Sequence, residues 1–393
     1  MIHVYDYCGN TKRLVGRLAQ KDRVVFFEYA PEFLNTGIQL SPFKLPLKAG
    51  LIRCEESVFD GLFGIFNDSL PDGWGRLLLD RKLRSLDINP STVTALDRLR
   101  YVGHRGMGAL VYEPEIQHTD AEFPHDQNWD RLADEILQFQ THEDLCFVDE
   151  LLALNGSSAG ARPKILVNLN HGEEWIIKFR ASFDPKDMGP IEYAYHLMAK
   201  AAQLEVPDAQ LFPSRTGPAY FGVKRFDRIL EQRIHMHTLS GLLHIDHRTP
   251  SLDYQQIMKA SLWLTHDKME CAKQYRASVF NVLAHNRDDH AKNFSFLMDH
   301  LGRWRISPAY DLSFSFGPSG EHCTMIMGEG KNPNLSHLLK LAEISGIDSH
   351  NALQIIDEVR SAVAKWPRFA EEAGVSITSR TLIHNTLLKF FRK

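Results

Sequence analysis

The chain has 393 residues, 44% of them hydrophobic and 24% charged, with a formal net charge of −4 at pH 7. That length predicts two or three packed units with substantial cores, and the composition excludes long disorder. The charge excludes a cationic field strong enough to hold nucleic acid unaided, so any contact with DNA needs a partner.

The N-terminal stretch "MIHVYDYCGNTKRL" is polar where a signal peptide needs an apolar core, and no uncharged run reaches the ~20 residues that span a bilayer. A protein that is neither secreted nor embedded is expected. Five cysteines (Cys8, Cys54, Cys146, Cys271, Cys323) are spread without a C-x-x-C pair, which fits a reducing cytoplasm better than a disulfide framework.

Over the first fifty or so residues, "IHVYDY", "RLVGRLA" and "RVVFFEYA" alternate apolar and polar residues between turn formers, the pattern of short antiparallel strands. From "ESVFDGLFGIFNDSLPDGWGRLLLDRKLRSL" the spacing turns helical, Asn89-Pro90-Ser91 closes the run, and "TVTALDRLRYVG" predicts another helix. This is one α+β module, residues 1–114. Residues 115–147 are acidic, hold one clear helix and read as a connector. The remainder divides at about 230. Residues 148–229 begin with the small-residue loop "NGSSAGARPK", then two β-branched runs around His171-Gly172, a helix in "GPIEYAYHLMAKAAQL", and two strands in "AQLFPSRTGPAYFGVKRFDR". Helical periodicity dominates residues 230–393.

Chemistry concentrates in "AHNRDDHAKNFSFL". A phosphoryl-transfer site needs a carboxylate to orient the attacking hydroxyl and an oxygen donor a few residues later for magnesium. Asp288 and Asn293, five residues apart, have the D-x-x-x-x-N spacing of protein kinases. Two other readings stand beside it: a solvated helix-to-strand turn, and an HD-type metal site built from His285, Asp288, Asp289 and His290. A second acid, Asp311, follows a predicted strand 18 residues beyond Asn293, where kinases place the aspartate that bridges magnesium to phosphates.

Upstream, Lys178 lies in the apolar run "WIIKF", where an unpaired ammonium is costly to bury. Glu192 on the next helix is the expected partner; an edge-strand lysine reaching solvent is the plainer reading. Gly156 and Gly160 allow loop N–H groups to approach phosphate oxygens, with Lys164 adding charge. In "VKRFDR", residues 223–228, Phe226 could stack on an adenine. His235, His237, His244 and His247 invite a metal reading, but the alternation in "RIHMHTL" suits a strand with its polar groups facing out.

In this order the pieces resemble the HipA family of serine/threonine kinase toxins over nearly the full chain. The carriers are "VVFFEYAPEFL", "IQLSPFKLPL" and "IFNDSLPDGWGRLLLDR", the S-x-A-G-A-x-x-K loop from Ser157 to Lys164, and D-x-H-x-K-N-F from Asp288 to Phe294. The resemblance implies an α+β, two-lobed, protein-kinase-like fold with an extra N-terminal α+β subdomain and a mainly helical C-terminal lobe. It implies ATP and magnesium as cofactors, Asp288 as catalytic base in a motif that includes His290 and Lys292, and Asn293 and Asp311 as magnesium ligands. Lys178, paired with Glu192, would hold the ATP phosphates, with His290 beside them. The loop residues Ser157, Ala159, Gly160 and Lys164 would cover the phosphates, and Ser157 would be autophosphorylated. Lys224, Phe226 and Asp227 would form the hinge, although Lys224 stands where family members tend to be acidic.

The resemblance further implies a protein substrate, in known cases an aminoacyl-tRNA synthetase, and a small helix-turn-helix antitoxin that links the chain to operator DNA. Alternatives are a small-molecule kinase of the aminoglycoside-phosphotransferase kind, and a catalytically idle corepressor bound to DNA through its antitoxin. The extra N-terminal module disfavours the first, and intact Lys178, Asp288, Asn293 and Asp311 disfavour the second.

Overall fold

Alternation at the N-terminus becomes a five-stranded antiparallel sheet. The computed structural model describes residues 1–9, 11–116, 128–141, 148–155, 160–169, 172–229 and 232–391. Strands β1 (Ile2–Asp6), β2 (Arg13–Lys21), β3 (Val24–Tyr29), β4 (Leu51–Arg53) and β5 (Leu110–Glu113) pair in the order β4-β3-β2-β1-β5. Side chains two apart share a face, so Val4, Leu18, Val25 and Phe27 are buried together with Phe63, Phe66 and Leu99. Leu99 lies on helix Ala95–Val102, whose start is fixed by a capping box between Thr94 and Asp97.

A second antiparallel sheet carries the predicted loop-strand-strand unit. Strands β6 (Lys164–Leu169), β7 (Glu173–Lys178), β8 (Ala209–Phe212) and β9 (Tyr220–Lys224) are ordered β6-β7-β9-β8. Its apolar side meets helices Trp129–Thr141 and Val148–Asn155. Trp129, Leu132, Ile136 and Phe139 recur at helical spacing and bury against Ile165, Trp175 and Ile177, together with Trp74 and Leu78 of helix Gly73–Ser85. The stretch expected to be a connector is therefore, where described, a layer of this core, and the N-terminal unit shares that core.

Helix Met188–Ala201 leads from the sheet into the helical unit. Ile191, Tyr195 and Met198 join Tyr275, Phe280 and Trp366 in its core. Helices Tyr254–Thr265, Lys268–Leu283 and Ser349–Val363 each begin at an aspartate whose side chain accepts from a first-turn N–H. A small sheet of His235–Thr238, Ser295–Met298 and Trp304–Ile306 fixes the segment between residues 284 and 294. Among the described residues no helix is long and apolar enough to cross a membrane, and Cys8, Cys54, Cys271 and Cys323 are free. His171 and Cys146 lie outside the described residues.

Strand His235–Thr238 corrects the expectation of outward polar groups. His235 and His237 are buried because the N-terminal unit covers that face and supplies their partners. His237 lies between Asp68 Oδ2 at 2.6 Å and Ser41 Oγ at 2.9 Å, and His235 Nε2 lies 3.0 Å from the Leu40 carbonyl. Burial first, then the neighbouring His237, holds His235 down to about 3, so it is neutral at pH 7. Asp68 also accepts from the Thr238 N–H at 2.7 Å and hydroxyl at 2.6 Å. Beside it, helix Gly64–Asn67 approaches Gly241 so closely that a Cβ on Gly64 would overlap the Gly241 backbone.

A second buried cluster ties the N-terminal unit to the end of β9. Asp227 is fully buried and accepts from Arg225 at 2.7 and 2.9 Å, Arg228 at 2.7 Å and the Gly108 N–H at 2.7 Å. Burial alone would raise this carboxyl, but the two arginines outweigh it and hold it well below the usual carboxylate range. Asp227→Ala should lower unfolding free energy by about 3–5 kcal/mol at neutral pH, because it leaves buried guanidinium groups uncompensated. A depressed carboxyl stabilises above its unfolded pKa and loses that contribution as pH falls, so the gap from wild type should narrow below about pH 4. Urea denaturation across pH measures both effects.

Candidate active site

Period-two geometry sets Lys178. Trp175 and Ile177 of β7 face the apolar core, so Lys178 projects to the opposite side. There its Nζ lies 3.1 Å from Glu192 Oε2 of helix Met188–Ala201 and bonds Asp311 Oδ1. Burial opposes the ammonium, yet Asp311 and Glu192 together raise its pKa above the ordinary lysine value. Asp311 is held low in return, burial being outweighed by Lys178 and then Lys164. Asp311 adopts the left-handed region at φ +52°, a conformation an aspartate tolerates at some cost.

Lys164 is buried at the head of β6, opposite Lys178 in register. Burial pushes its pKa down, against Asp311. Gly160 has φ +110°, a conformation that favours glycine, and a Cβ there would displace the Lys164 ammonium that lies against it. Arg162 grips Asp184 with Nε and Nη2 at 2.9 and 3.2 Å and stands 3.9 Å from Glu192. Ser157 and Ala159 lie outside the described residues, as do Gly156 and Ser158.

Asp289, fully buried, anchors the 284–294 segment. Tyr254 Oη donates to it at 2.8 Å, His322 Nδ1 lies at 2.8 Å, and the Thr324 N–H donates at 3.2 Å. Arg287 donates to the Gly320 carbonyl and, at 2.8 Å, to the Lys331 carbonyl, fixing residues 317–331 beside the loop. These bonds leave Asp288 open to solvent at the mouth of the cleft. Its carboxyl is raised, chiefly because the cleft walls displace water, with His290 opposing, Asp311 adding, and Arg162 opposing. Asn293 donates Nδ2 to the Asp288 carbonyl at 2.6 Å, which turns its Oδ1 toward other partners.

His290 Nδ1 is buried with no hydrogen-bond partner among the described residues, and its ring lies 5.4 Å from His247. Lys292 Nζ pairs with Asp72 Oδ2 at 2.6 Å. Phe226 lies 5.5 Å from the Tyr310 ring, and Tyr310 Oη donates to the Lys292 carbonyl. The structure thus gathers Lys164, Lys178, Glu192, Asp288, His290, Lys292, Asn293, Asp311 and Gly160 around one cleft.

Two of the expected hinge residues have partners inside the protein. Asp227 is spent on Arg225, Arg228 and Gly108, leaving its carboxylate no face for a nucleotide. Lys224 pairs across the sheet with Glu173 at 2.6 Å, since the β7–β9 register sets it opposite Trp175, two residues along. Nor do the histidine-rich metal readings survive: among the described residues no three His, Cys, Asp or Glu side chains converge to hold a metal. Asp289 is engaged by Tyr254, His322 and Thr324, His285 Nδ1 faces the Ser315 carbonyl at 3.0 Å, and His244 lies against Glu56 and the Gly64 N–H. Sequence reasoning missed Asp72, Arg162–Asp184 and the anchoring role of Asp289; the quoted "SLPDGWG" was the one local signal for Asp72.

The chain matches the HipA N-terminal domain over residues 10–113 and the HipA-like C-terminal domain over residues 156–366. A provisionally named kinase of Sinorhizobium fredii, Y4mE, is 26% identical over 398 aligned positions, covering 93% of this chain and 84% of the relative. Another from the same organism, Y4dM, is 25% identical over 210 residues, which are 50% of this chain and about half, 51%, of that relative. Among solved structures, the Shewanella oneidensis HipA in complex with HipB and operator DNA superposes with a TM-score of 0.71 at 16% identity, covering 100% of this chain and 97% of that one. The fold is therefore the two-lobed, kinase-like HipA fold with its added N-terminal subdomain.

Lys178→Met should leave Glu192 and Asp311 facing each other without a cation and lower the Tm. Asp311, depressed in the wild type, stabilises above its unfolded pKa, so the difference in Tm should be largest near neutrality and shrink below about pH 4. Thermal melts of both proteins across pH 3–8 check this.

Proposed function

The chain belongs to the HipA family, and on that premise we propose that it is an ATP- and magnesium-dependent serine/threonine protein kinase, the toxin of a toxin–antitoxin pair. The observation that carries this is Lys178 held between Glu192 and Asp311, across the cleft from a loop presenting Asp288 and Asn293. That is the constellation phosphoryl transfer requires.

The residues present fit ATP and magnesium. Gly160 lets the loop lie close to Lys164, and among the described residues His290 has a buried ring nitrogen without a hydrogen-bond partner. Asp311 and Asn293 supply two oxygen donors, the sparse protein set that suits an ion keeping waters and phosphate ligands. When bound, magnesium would neutralise phosphate charge. Lys178 and Lys164 would hold the phosphates, and Phe226 beside Tyr310 would flank the adenine. Asp288, with a raised pKa and exposure at the cleft mouth, would orient the incoming serine hydroxyl and accept its proton.

By family likeness the substrate is a cellular protein serine, with an aminoacyl-tRNA synthetase the leading class, and Ser157 is a self-phosphorylation site. The HipA–HipB–operator complex supports a small antitoxin as partner and DNA contact through it. The working compartment is the cytoplasm.

Incubation with labelled ATP, magnesium and a cell lysate should label a protein band, and Asp288→Ala should cut the rate by at least about a hundred-fold. Unchanged turnover in that variant would sink the assignment. The acid limb of kcat/KM should lie above the ordinary aspartate range. Since Arg162 lowers the Asp288 pKa, Arg162→Ala should move that limb to higher pH, read from a pH–rate profile.

A further inference from the structure

One wall of the cleft comes from the N-terminal unit. Asp72 stands at the N-cap of helix Gly73–Ser85. Its Oδ1 accepts from the Gly160 N–H, its Oδ2 from Lys292 Nζ at 2.6 Å, and His247 Nε2 lies 3.8 Å away. The same first turn adds a reciprocal bond, the Trp74 N–H donating to the Gly160 carbonyl at 3.2 Å. Both backbone groups of Gly160 are therefore held from one helix start. The approach needs glycine on this side too: a Cβ on Gly73 would come within 2.8 Å of the Gly160 oxygen.

This carboxylate could act in two opposite ways. It could occupy donors that a phosphoryl group needs, as a plug, or it could hold those donors in place. The mount decides. Trp74 and Leu78 on the same helix are buried in the core with Ile165 and Ile177, so withdrawing Asp72 would strip the Trp74–Gly160 bond and disturb a packed core. A displaceable plug needs a flexible support, and Asp72 has a rigid one. Lys292, by contrast, is a point charge on a flexible four-carbon stem, and it gains one fixed position from a fixed carboxylate.

We propose that Asp72 is a positioning residue of the phosphoryl-transfer site, holding the Lys292 ammonium where its remaining N–H groups reach the transferring phosphoryl group and fixing the turn at Gly160 by accepting its N–H. This rests on the kinase reading above. It makes the N-terminal subdomain part of the catalytic apparatus. Its contribution grows toward the transition state, where the phosphoryl group lies in transit.

The test is steady-state kinetics of the full chain with Mg-ATP and a labelled protein acceptor. Asp72→Ala should lower kcat at least about ten-fold while KM for ATP rises by less, the signature of an interaction made mainly in the transition state. Asp72→Asn, which keeps an acceptor for Gly160 but loses the ion pair, should fall between. In an Asp72→Ala background, Lys292→Ala should cost far less than it does alone, because the two act as a unit. Asp68→Ala breaks the same interface at His237 and Thr238 and serves as control: it should lower Tm yet keep kcat and KM at a temperature where it is folded. Wild-type kinetics in both Asp72 variants, faster turnover in either, or the Asp72→Ala pattern reproduced by Asp68→Ala would each overturn the assignment while the kinase reading stands. A wild-type chain that phosphorylates nothing would overturn both.

Discussion

An ammonium cannot be buried alone, and the architecture around Lys178 follows from that constraint. Its strand faces apolar core on one side, so its side chain must leave on the other, where desolvation would neutralise it without partners. Glu192 and Asp311 come from a helix and from a segment beyond the 284–294 loop, so satisfying one lysine fixes β7, helix Met188–Ala201 and residues 307–311 relative to one another. Three parts of the chain with separate local structure thus converge on a cleft where the buried ammonium already has its counter-charges before any ligand arrives. Such an arrangement contributes little net stability, since the desolvation of three charged groups offsets most of their attraction. What it specifies is geometry.

The N-terminal unit is joined to the rest by buried polar contacts as well as by apolar packing. Asp68 with His237 and Thr238, Asp227 with Gly108, and Asp72 with Gly160 and Lys292 each commit a carboxylate from one side to donors on the other. Each leaves an expensive orphan if the units separate. The shared core of Trp74 and Leu78 with Ile165 and Ile177 adds the hydrophobic part. These polar and apolar contacts together bring a subdomain outside the two lobes against the 284–294 loop.

Much of this was legible in the residues. The strands of the first unit, the helix carrying Glu192 and the spacing of Asp288, Asn293 and Asp311 are local signals, and the structure brings those side chains to one cleft. What stayed hidden is long-range pairing. Asp72 and Lys292 stand 220 residues apart, and nothing in "SLPDGWG" says where its acid will point. Alternation in "RIHMHTL" gave the strand but inverted its faces, because period two cannot tell which side another unit will cover. Likewise Asp227 matched a hinge motif, yet two neighbouring arginines claimed its carboxylate, and the acidic stretch before residue 148 held a core helix whose partners lie in other units.

The central claim is that the Lys178 cluster is the seat of a magnesium–nucleotide complex. Calorimetric titration of ATP into the purified chain, with and without magnesium and against Asp311→Asn, tests it most directly. The account predicts one site that tightens with magnesium and loses that dependence when Asp311 is replaced. Binding of equal strength without the ion, or untouched by Asp311→Asn, would contradict it.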